Sequence, residues 1–434
     1  MMTKKWQPYP TYKDSGVEWL GKIPEHWKVK KCKQLSLIKR GASPRPIDDP
    51  SFFDDDGAYS WVRISDVTAS NKYLETSEQK LSELGKSKSI ALEPGELFVS
   101  ICATVGKPII TNIKCCIHDG FVYFPFLKEN REYLFYIFSG GELYKGVGKQ
   151  GTQLNLNTDI IGDIKLPIPP LPEQQKIAQF LDQETSKIDK LITKKERLIK
   201  LLKEKRTALI SHAVTKGLNP DVPMKDSGVE WLGEIPEHWE IVPLRSVLEQ
   251  RIEYNIGRKT ENILSVIKDV GVVNYEDREA SGNKKSENIE QYKIIYPSDI
   301  VVNRMNLIFG SVGIAREYGA SSTEYYVLKP KSNKVCQEYY GHIFCSKSFQ
   351  LSLVGIGKGI LFHRMRIYSE ELKKILFPFP PLEEQKLINE YLIQNLNEIN
   401  HLSDKLNTSI DHLKEYRTAL ISAAVTGKID VREH

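Results

Sequence analysis

Lys13-Asp14-Ser15-Gly16-Val17-Glu18-Trp19-Leu20-Gly21-Lys22-Ile23-Pro24-Glu25-His26-Trp27 returns 212 residues later as Lys225-Asp226-Ser227-Gly228-Val229-Glu230-Trp231-Leu232-Gly233-Glu234-Ile235-Pro236-Glu237-His238-Trp239. Lys22/Glu234 is the one difference in fifteen positions. Two further echoes follow at an offset of 211 residues: Pro169-Pro170-Leu171-Pro172-Glu173-Gln174 against Pro380-Pro381-Leu382-Glu383-Glu384-Gln385, and Arg206-Thr207-Ala208-Leu209-Ile210-Ser211 against Arg417-Thr418-Ala419-Leu420-Ile421-Ser422. A period this long is not that of a solenoid, so the chain is a duplicated domain-plus-helix unit. Between the shared blocks the halves diverge. The constant parts read as a frame, and the divergent parts as two different readers.

The order of segments is the same in each half. Residues 1–27 hold the first conserved block, 28–165 a divergent domain, and 166–223 a proline stretch and a long helix. Residues 224–239 repeat the block, 240–376 form the second divergent domain, and 377–434 the second proline stretch and helix. The divergent regions carry short strand-like runs, Glu96–Ile101 and Asp299–Asn303, each after a turn signal (Pro94-Gly95, Pro297-Ser298). They read as α+β domains with substantial β-structure and a common fold. The proline stretches are extended, because proline fixes φ and lacks a donor.

The helices, near 172–212 and 383–424, carry heptads. Leu181, Ile188, Leu202 and Leu209 stand at a, and Leu191 and Leu198 at d, of the first. Leu392, Ile399, Leu406, Leu413 and Leu420 stand at a, and Leu402 at d, of the second. Residues 172–212 hold ten Lys/Arg and six Asp/Glu, residues 383–424 four and seven, so net charges of +4 and −3 favour pairing with each other. A pseudo-twofold axis perpendicular to them makes the pair antiparallel, a rod of roughly 60 Å with one divergent domain toward each end.

Composition sets outer bounds. The chain has 434 residues, 40% hydrophobic and 27% charged, enough for two or more domains with their own cores. No apolar run approaches bilayer length, and Met1–Pro8 has no signal-peptide character. Six cysteines without a C-x-x-C pair point to reduced thiols in a cytoplasm. The net charge of +5 is compatible with nucleic acid but does not identify it.

Together the paired Pro-Pro-Leu-x-Glu-Gln blocks, the Arg-Thr-Ala-Leu-Ile-Ser runs and the Gly-Val-Glu-Trp-Leu-Gly-x-Ile-Pro-Glu-His-Trp blocks resemble the specificity (S) subunits of type I DNA restriction-modification systems, over nearly the whole chain. The resemblance implies that each divergent segment is a target recognition domain for one half of a bipartite, asymmetric double-stranded DNA site. It implies that the helices separate these domains and receive two modification (methyltransferase) subunits, with restriction (translocase/nuclease) subunits joining the complex. S-adenosylmethionine, Mg²⁺ and ATP would then belong to the partners, and the chain itself would be non-catalytic. The residues agree: there is no Asn/Asp-Pro-Pro-Tyr/Phe motif and no Walker loop. Gly355-Ile356-Gly357-Lys358-Gly359 lacks the spacing of a phosphate loop. Asp54-Asp55-Asp56 reads as a solvated loop, and the histidines form no ligand cluster. A stand-alone DNA-binding regulator and a self-sufficient nuclease or methyltransferase are the rival readings.

DNA contact needs cations for phosphates and forked donors for base edges. Two glycine-flanked loops lie at matching distances before the proline stretches. One carries Lys149, Gln150, Gln153 and Asn155, the other Lys358, His363 and Arg364. A basic loop with Arg40 and Arg45, followed by Arg63 at a strand end, is a second candidate, with Arg251, Arg258 and Lys259 as its partner region. Asn303, Arg304 and Asn306, after a strand, form the third. The tryptophans at 19, 27, 231 and 239 recur with the frame and are read as core or subunit packing.

Overall fold

The structure, a computed structural model, describes residues 6–144, 156–268, 270–278, 286, 288–356 and 366–433. It consists of two compact units, Met1–Lys195 with Thr408–His434, and Glu196–Asn407. The division falls inside both long helices, so each unit takes one divergent domain, one conserved block and a segment of each helix. The helices span Leu171–Lys216 and Leu382–Val425. No described helix is long and apolar enough to cross a membrane.

The fifteen-residue repeat is a turn built twice from the same atoms. In the first unit Tyr12–Asp14 pairs antiparallel with Lys22–Pro24, and in the second Met224–Asp226 pairs with Glu234–Pro236. Asp14 Oδ1 accepts from Gly16 N and Asp226 Oδ1 from Gly228 N, both at 2.9 Å. Gly16, Gly21, Gly228 and Gly233 all have positive φ, which favours glycine because it has no Cβ to clash. Trp27 and Trp239 are fully buried.

Each proline stretch is a strand that returns beside the strand following the Trp block. Lys165–Ile168 pairs antiparallel with Lys28–Lys31, and Leu376–Phe379 with Glu240–Pro243. Two-stranded pairs leave edges, where a missing N–H does no harm, so Pro167 and Pro378 are tolerated. A divergent domain therefore enters and leaves its frame through adjacent strands.

Within the first unit, Leu97–Ser100 lies between Phe121–Tyr123 and Pro108–Thr111, with Lys39–Arg40 beyond Phe121–Tyr123. In the second, Ile300–Asn303 lies between Tyr325–Pro330 and Val312–Ile314, with Leu248–Gln250 beyond Tyr325–Pro330. These four strands keep the same order, the first sheet adding Tyr73–Leu74 beside Pro108–Thr111, and the runs picked out by turn signals and apolar content are central strands of both sheets. One helix packs on each, Arg131–Ser139 and Gln337–Cys345. The additions differ. The first domain has a second sheet of Lys80–Leu81, Tyr59–Val62, Cys115–Ile117 and Ile90–Leu92, whereas the second has two strand pairs. Cys115 and Cys116 are buried in that second sheet, and burial pushes their thiols up, to about 12 and about 11.

The recurring Glu-Gln of the proline blocks is a structural knot. Gln174 Oε1 accepts from Asn130 N at 2.9 Å, while its amide donates to Glu129 and to Pro169 O. Gln385 repeats this with Cys336 N at 2.8 Å, Lys334 O and Pro380 O. Glu173 accepts from Tyr9 Oη at 2.7 Å and Trp27 Nε1 at 2.9 Å, and lies 2.8 Å from His26 Nε2. Its repeat, Glu384, keeps the histidine (His238, 2.8 Å) but not the other two. The residue 212 positions after Tyr9 is Asp221, and Trp239 Nε1 has no partner among the described residues.

In each unit the two helix segments run antiparallel. In the first, Lys176 Nζ reaches Arg432 O and Arg417 clamps Asp189 at 2.9 and 3.4 Å. In the second, Arg206 reaches Asn400 at 3.0 Å, and Leu202 packs with Ile399 and Leu406. The arginine of each Arg-Thr-Ala-Leu-Ile-Ser run thus ties one helix to the other. Arg417 belongs to the acidic helix and Asp189 to the basic one, so this bond runs against the net-charge argument.

Leu181, Ile188, Leu202, Leu392, Ile399, Leu406 and Leu420 are buried, and Leu191, Leu209 and Leu413 half-buried. Leu198 and Leu402 depart from the expected seam: they are 40% and 42% exposed, and Ile199 packs where Leu198 was expected. Two helices bury only a narrow stripe, and these d positions fall outside it.

Candidate nucleic-acid interface

In the first domain the edge strand Lys39–Arg40 runs into a loop held on the turn 117–120. A Cβ on Gly41 would sit 2.2 Å from His118 O, so only glycine fits there. Asp119 organises the loop. Its backbone O accepts from Arg40 Nε, Oδ1 from Ser43 Oγ at 2.9 Å, and Oδ2 from Arg45 Nη2 at 3.2 Å. Burial opposes its charge, but the Ser43 hydrogen bond and the charges of Arg40 and Arg45 hold the carboxyl below its usual range. The Arg45 side chain is nonetheless 76% exposed, so its guanidinium has faces left for a ligand. Gly41→Ala is expected to destabilise this domain by about 1–3 kcal/mol, since backbone must yield. Thermal unfolding of the full chain measures it, and an unchanged midpoint would mean the turn moves freely.

Arg63 precedes the helix Ile64–Ala69, where its backbone N donates to Asp66 Oδ2 at 2.9 Å. Its Nη2 meets the exposed Glu78 at 2.9 Å. Such a surface pair is weak and exchangeable.

Two arginines expected to offer open forks do not. Arg251 gives Nε and Nη2 to Asp299 at 2.8 and 2.9 Å, and Asp299 is 2% exposed. Those hydrogen bonds raise the Arg251 guanidinium further above its ordinary value. Arg304 gives Nε and Nη2 to Glu324 at 2.9 and 2.5 Å. Asn303 accepts from Met305 N at 3.0 Å, and Asn306 O from Ser311 N at 3.1 Å, so both shape the turn after the central strand. Arg258 and Lys259 are exposed, 3.7 Å from Glu261 and 2.9 Å from Glu253 respectively. Lys149, Gln150, Gln153, Asn155, Lys358, His363 and Arg364 lie outside the described residues. Among the described residues no His, Cys, Asp and Glu cluster could hold a metal.

The acidic partners Asp119, Asp299 and Glu324 were not singled out from the sequence. No local pattern links them to arginines lying 20 to 79 residues away.

Two domains with a common strand order but different sequence are each held in a copy of the same duplicated frame. The family model for the type I restriction modification DNA specificity domain matches twice, at residues 24–201 and 236–412, and the chain belongs to this family. A putative type I restriction enzyme MjaX specificity subunit of Methanocaldococcus jannaschii is 24% identical, with 95% of this chain and 96% of that protein covered. The MjaVIII specificity subunit of the same organism is 27% identical, with 95% of each covered. The EcoBI specificity subunit of Escherichia coli is 25% identical over 64% of this chain and 61% of its own length. Among solved structures, a chain from work on complex assembly and conformational transition of the type I R-M system aligns at TM-score 0.69 and 15% identity, covering 93% of this chain and 98% of that one. The HsdS subunit from Thermoanaerobacter tengcongensis aligns at 0.52 and 15%, covering 94% and 98%. The chain is a type I specificity subunit.

Proposed function

We propose that this subunit binds a bipartite, asymmetric double-stranded DNA site, one half-site per recognition domain, in the cytoplasm. It recruits two methyltransferase subunits, and restriction subunits join the assembly. The observation that carries this is the matched strand order of two domains whose sequences differ, each entered and left through paired strands of a repeated frame. Repeated surfaces suit a partner present twice, and divergent ones suit two different half-sites. Leu198 and Leu402, exposed on the helices, are apolar surface that a partner helix would cover. Arg40, Arg45, Arg63, Arg258 and Lys259 are the described cations that remain candidates for DNA contact. Lys149, Gln150, Gln153, Asn155, Lys358, His363 and Arg364 are candidates by sequence alone.

The test is methylation mapping of DNA treated with the chain and its modification subunits. One bipartite adenine-methylated motif is expected, and none from the chain alone. Replacing segment 28–165 by the equivalent domain of a related subunit should then change one half-site and leave the other intact. Methyl transfer by the isolated chain, or a change in both half-sites, would defeat the reading.

A further inference from the structure

After the edge strand Leu248–Gln250 the second domain alternates polar and apolar residues, Arg251-Ile252-Glu253-Tyr254-Asn255-Ile256, and it folds with the polar ones inward. Ile252, Tyr254 and Ile256 are 77%, 41% and 71% exposed, while Asn255 is fully buried. Successive side chains of an extended segment point to opposite sides, which puts Ile252 and Tyr254 on the outer side, and Ile256, at the start of the turn that follows, is exposed beyond them. A slip of one residue would bury the row, and burial of apolar surface is favourable. Specific bonds prevent the slip. Tyr254 bridges antiparallel to Lys293, and Asn255 N donates to Tyr292 O at 2.8 Å. The Asn255 amide donates to Thr260 O and Ile289 O and accepts from Thr260 N at 3.0 Å. Arg251 is locked on Asp299, and Glu253 O accepts from Ile294 N at 2.9 Å, while the Glu253–Lys259 side-chain pair is partly exposed and exchangeable. The turn that follows has positive φ at both Gly257 and Arg258, and Gly257 N donates to Glu290 Oε1. An apolar row is thus held toward solvent, with the exposed cations Arg258 and Lys259 at its end, each in a weak surface pair, with Glu261 and Glu253.

We propose that this row is a base-reading ridge of the second recognition domain. Ile256, supported by Ile252 and Tyr254, makes apolar contact with thymine methyl groups in the major groove of one half-site, and Arg258 and Lys259 take flanking phosphates. The assignment rests on the reading of the chain as a DNA specificity subunit. DNA is favoured over a protein partner by the cations beside the row and by the duplication. A subunit that binds twice needs a surface that occurs twice, and this row does not. After the edge strand of the first domain the chain instead reads Gly41-Ala42-Ser43-Pro44-Arg45-Pro46-Ile47, with Ile47 42% exposed. A surface belonging to one half fits the ligand that differs between halves.

The experiment selects a randomised duplex library with the chain assembled with its modification subunits, as wild type, Ile256→Ala and Ile256→Val. Ile256→Ala should lose T·A preference at one or two positions of a single half-site and bind the wild-type motif roughly tenfold more weakly. Ile256→Val should fall between, and the other half-site and the melting temperature should not change. Replacing those thymines by uracil, which lacks the methyl, should weaken wild type by a similar factor and Ile256→Ala hardly at all. An unchanged motif and affinity for Ile256→Ala overturns the proposal, as does loss of the modification subunit with the motif retained, which would make the row a protein contact. A wild-type complex that selects no motif overturns the DNA reading itself, a distinguishable result.

Discussion

Glu173→Ala is expected to lower the stability of the first unit by about 2–4 kcal/mol, whereas Glu384→Ala, the same position of the repeat, should cost less than about 1 kcal/mol. The Glu173 side chain is 7% exposed and serves the buried donors Tyr9 Oη and Trp27 Nε1, as well as His26. Removing it strands those donors in a dry site, and a buried unsatisfied donor costs more than a hydrogen bond contributes. Glu384 is 26% exposed and has His238 as its one described side-chain partner, which water can replace. Calorimetry of the full chain should show a fall of roughly 5–10 °C in one transition for Glu173→Ala and little change for Glu384→Ala. Glu173→Gln keeps an acceptor oxygen and should fall between. Equal shifts at the two positions would mean that the repeated glutamates do the same job, contrary to their surroundings.

Asp299→Ala should destabilise the second unit by about 2–4 kcal/mol, because it leaves the Arg251 guanidinium, 21% exposed, without its bidentate partner. The value is set below that for a fully buried pair because solvent reaches the arginine. Asp299 also accepts from Tyr296 N at 2.9 Å, so the turn before the central strand loosens as well. Replacing both members, Arg251→Met with Asp299→Leu, should recover much of the loss, since an apolar pair leaves no unpaired charge. Denaturant unfolding of the single and double variants measures the coupling. Arg251→Ala should likewise act on stability and leave base preference alone. A stable Arg251→Ala variant with an altered half-site would return this arginine to the list of DNA readers.

These two pairs mark where reading the chain linearly stops. The frame was legible because its signals are local and occur twice. The glycines demand their turns, the prolines their extended strands, and the heptads their helices, which begin and end within a few residues of the expected positions. The central strands Leu97–Ser100 and Ile300–Asn303 were legible for a similar reason, since an apolar run after a turn signal has few other folds open to it. The candidate DNA contacts were much less so. Arginine in a loop looks alike whether its fork is open or already filled, and the residue that fills it can lie anywhere in the chain.

By itself, then, the sequence determined the duplication, the two helices, the α+β character of the divergent domains and the family. All of these rest on patterns contained within a few turns of chain or on repetition. Tertiary structure alone decided that Asp299 and Glu324 occupy Arg251 and Arg304, that Glu173 gathers Tyr9, Trp27 and His26 while Glu384 does not, and that Leu198 and Leu402 stay outside the seam. It also decided which side of Arg251–Ile256 faces water. An alternating segment has two faces related by a one-residue slip, and the long-range bonds of Asn255 and Arg251 choose between them.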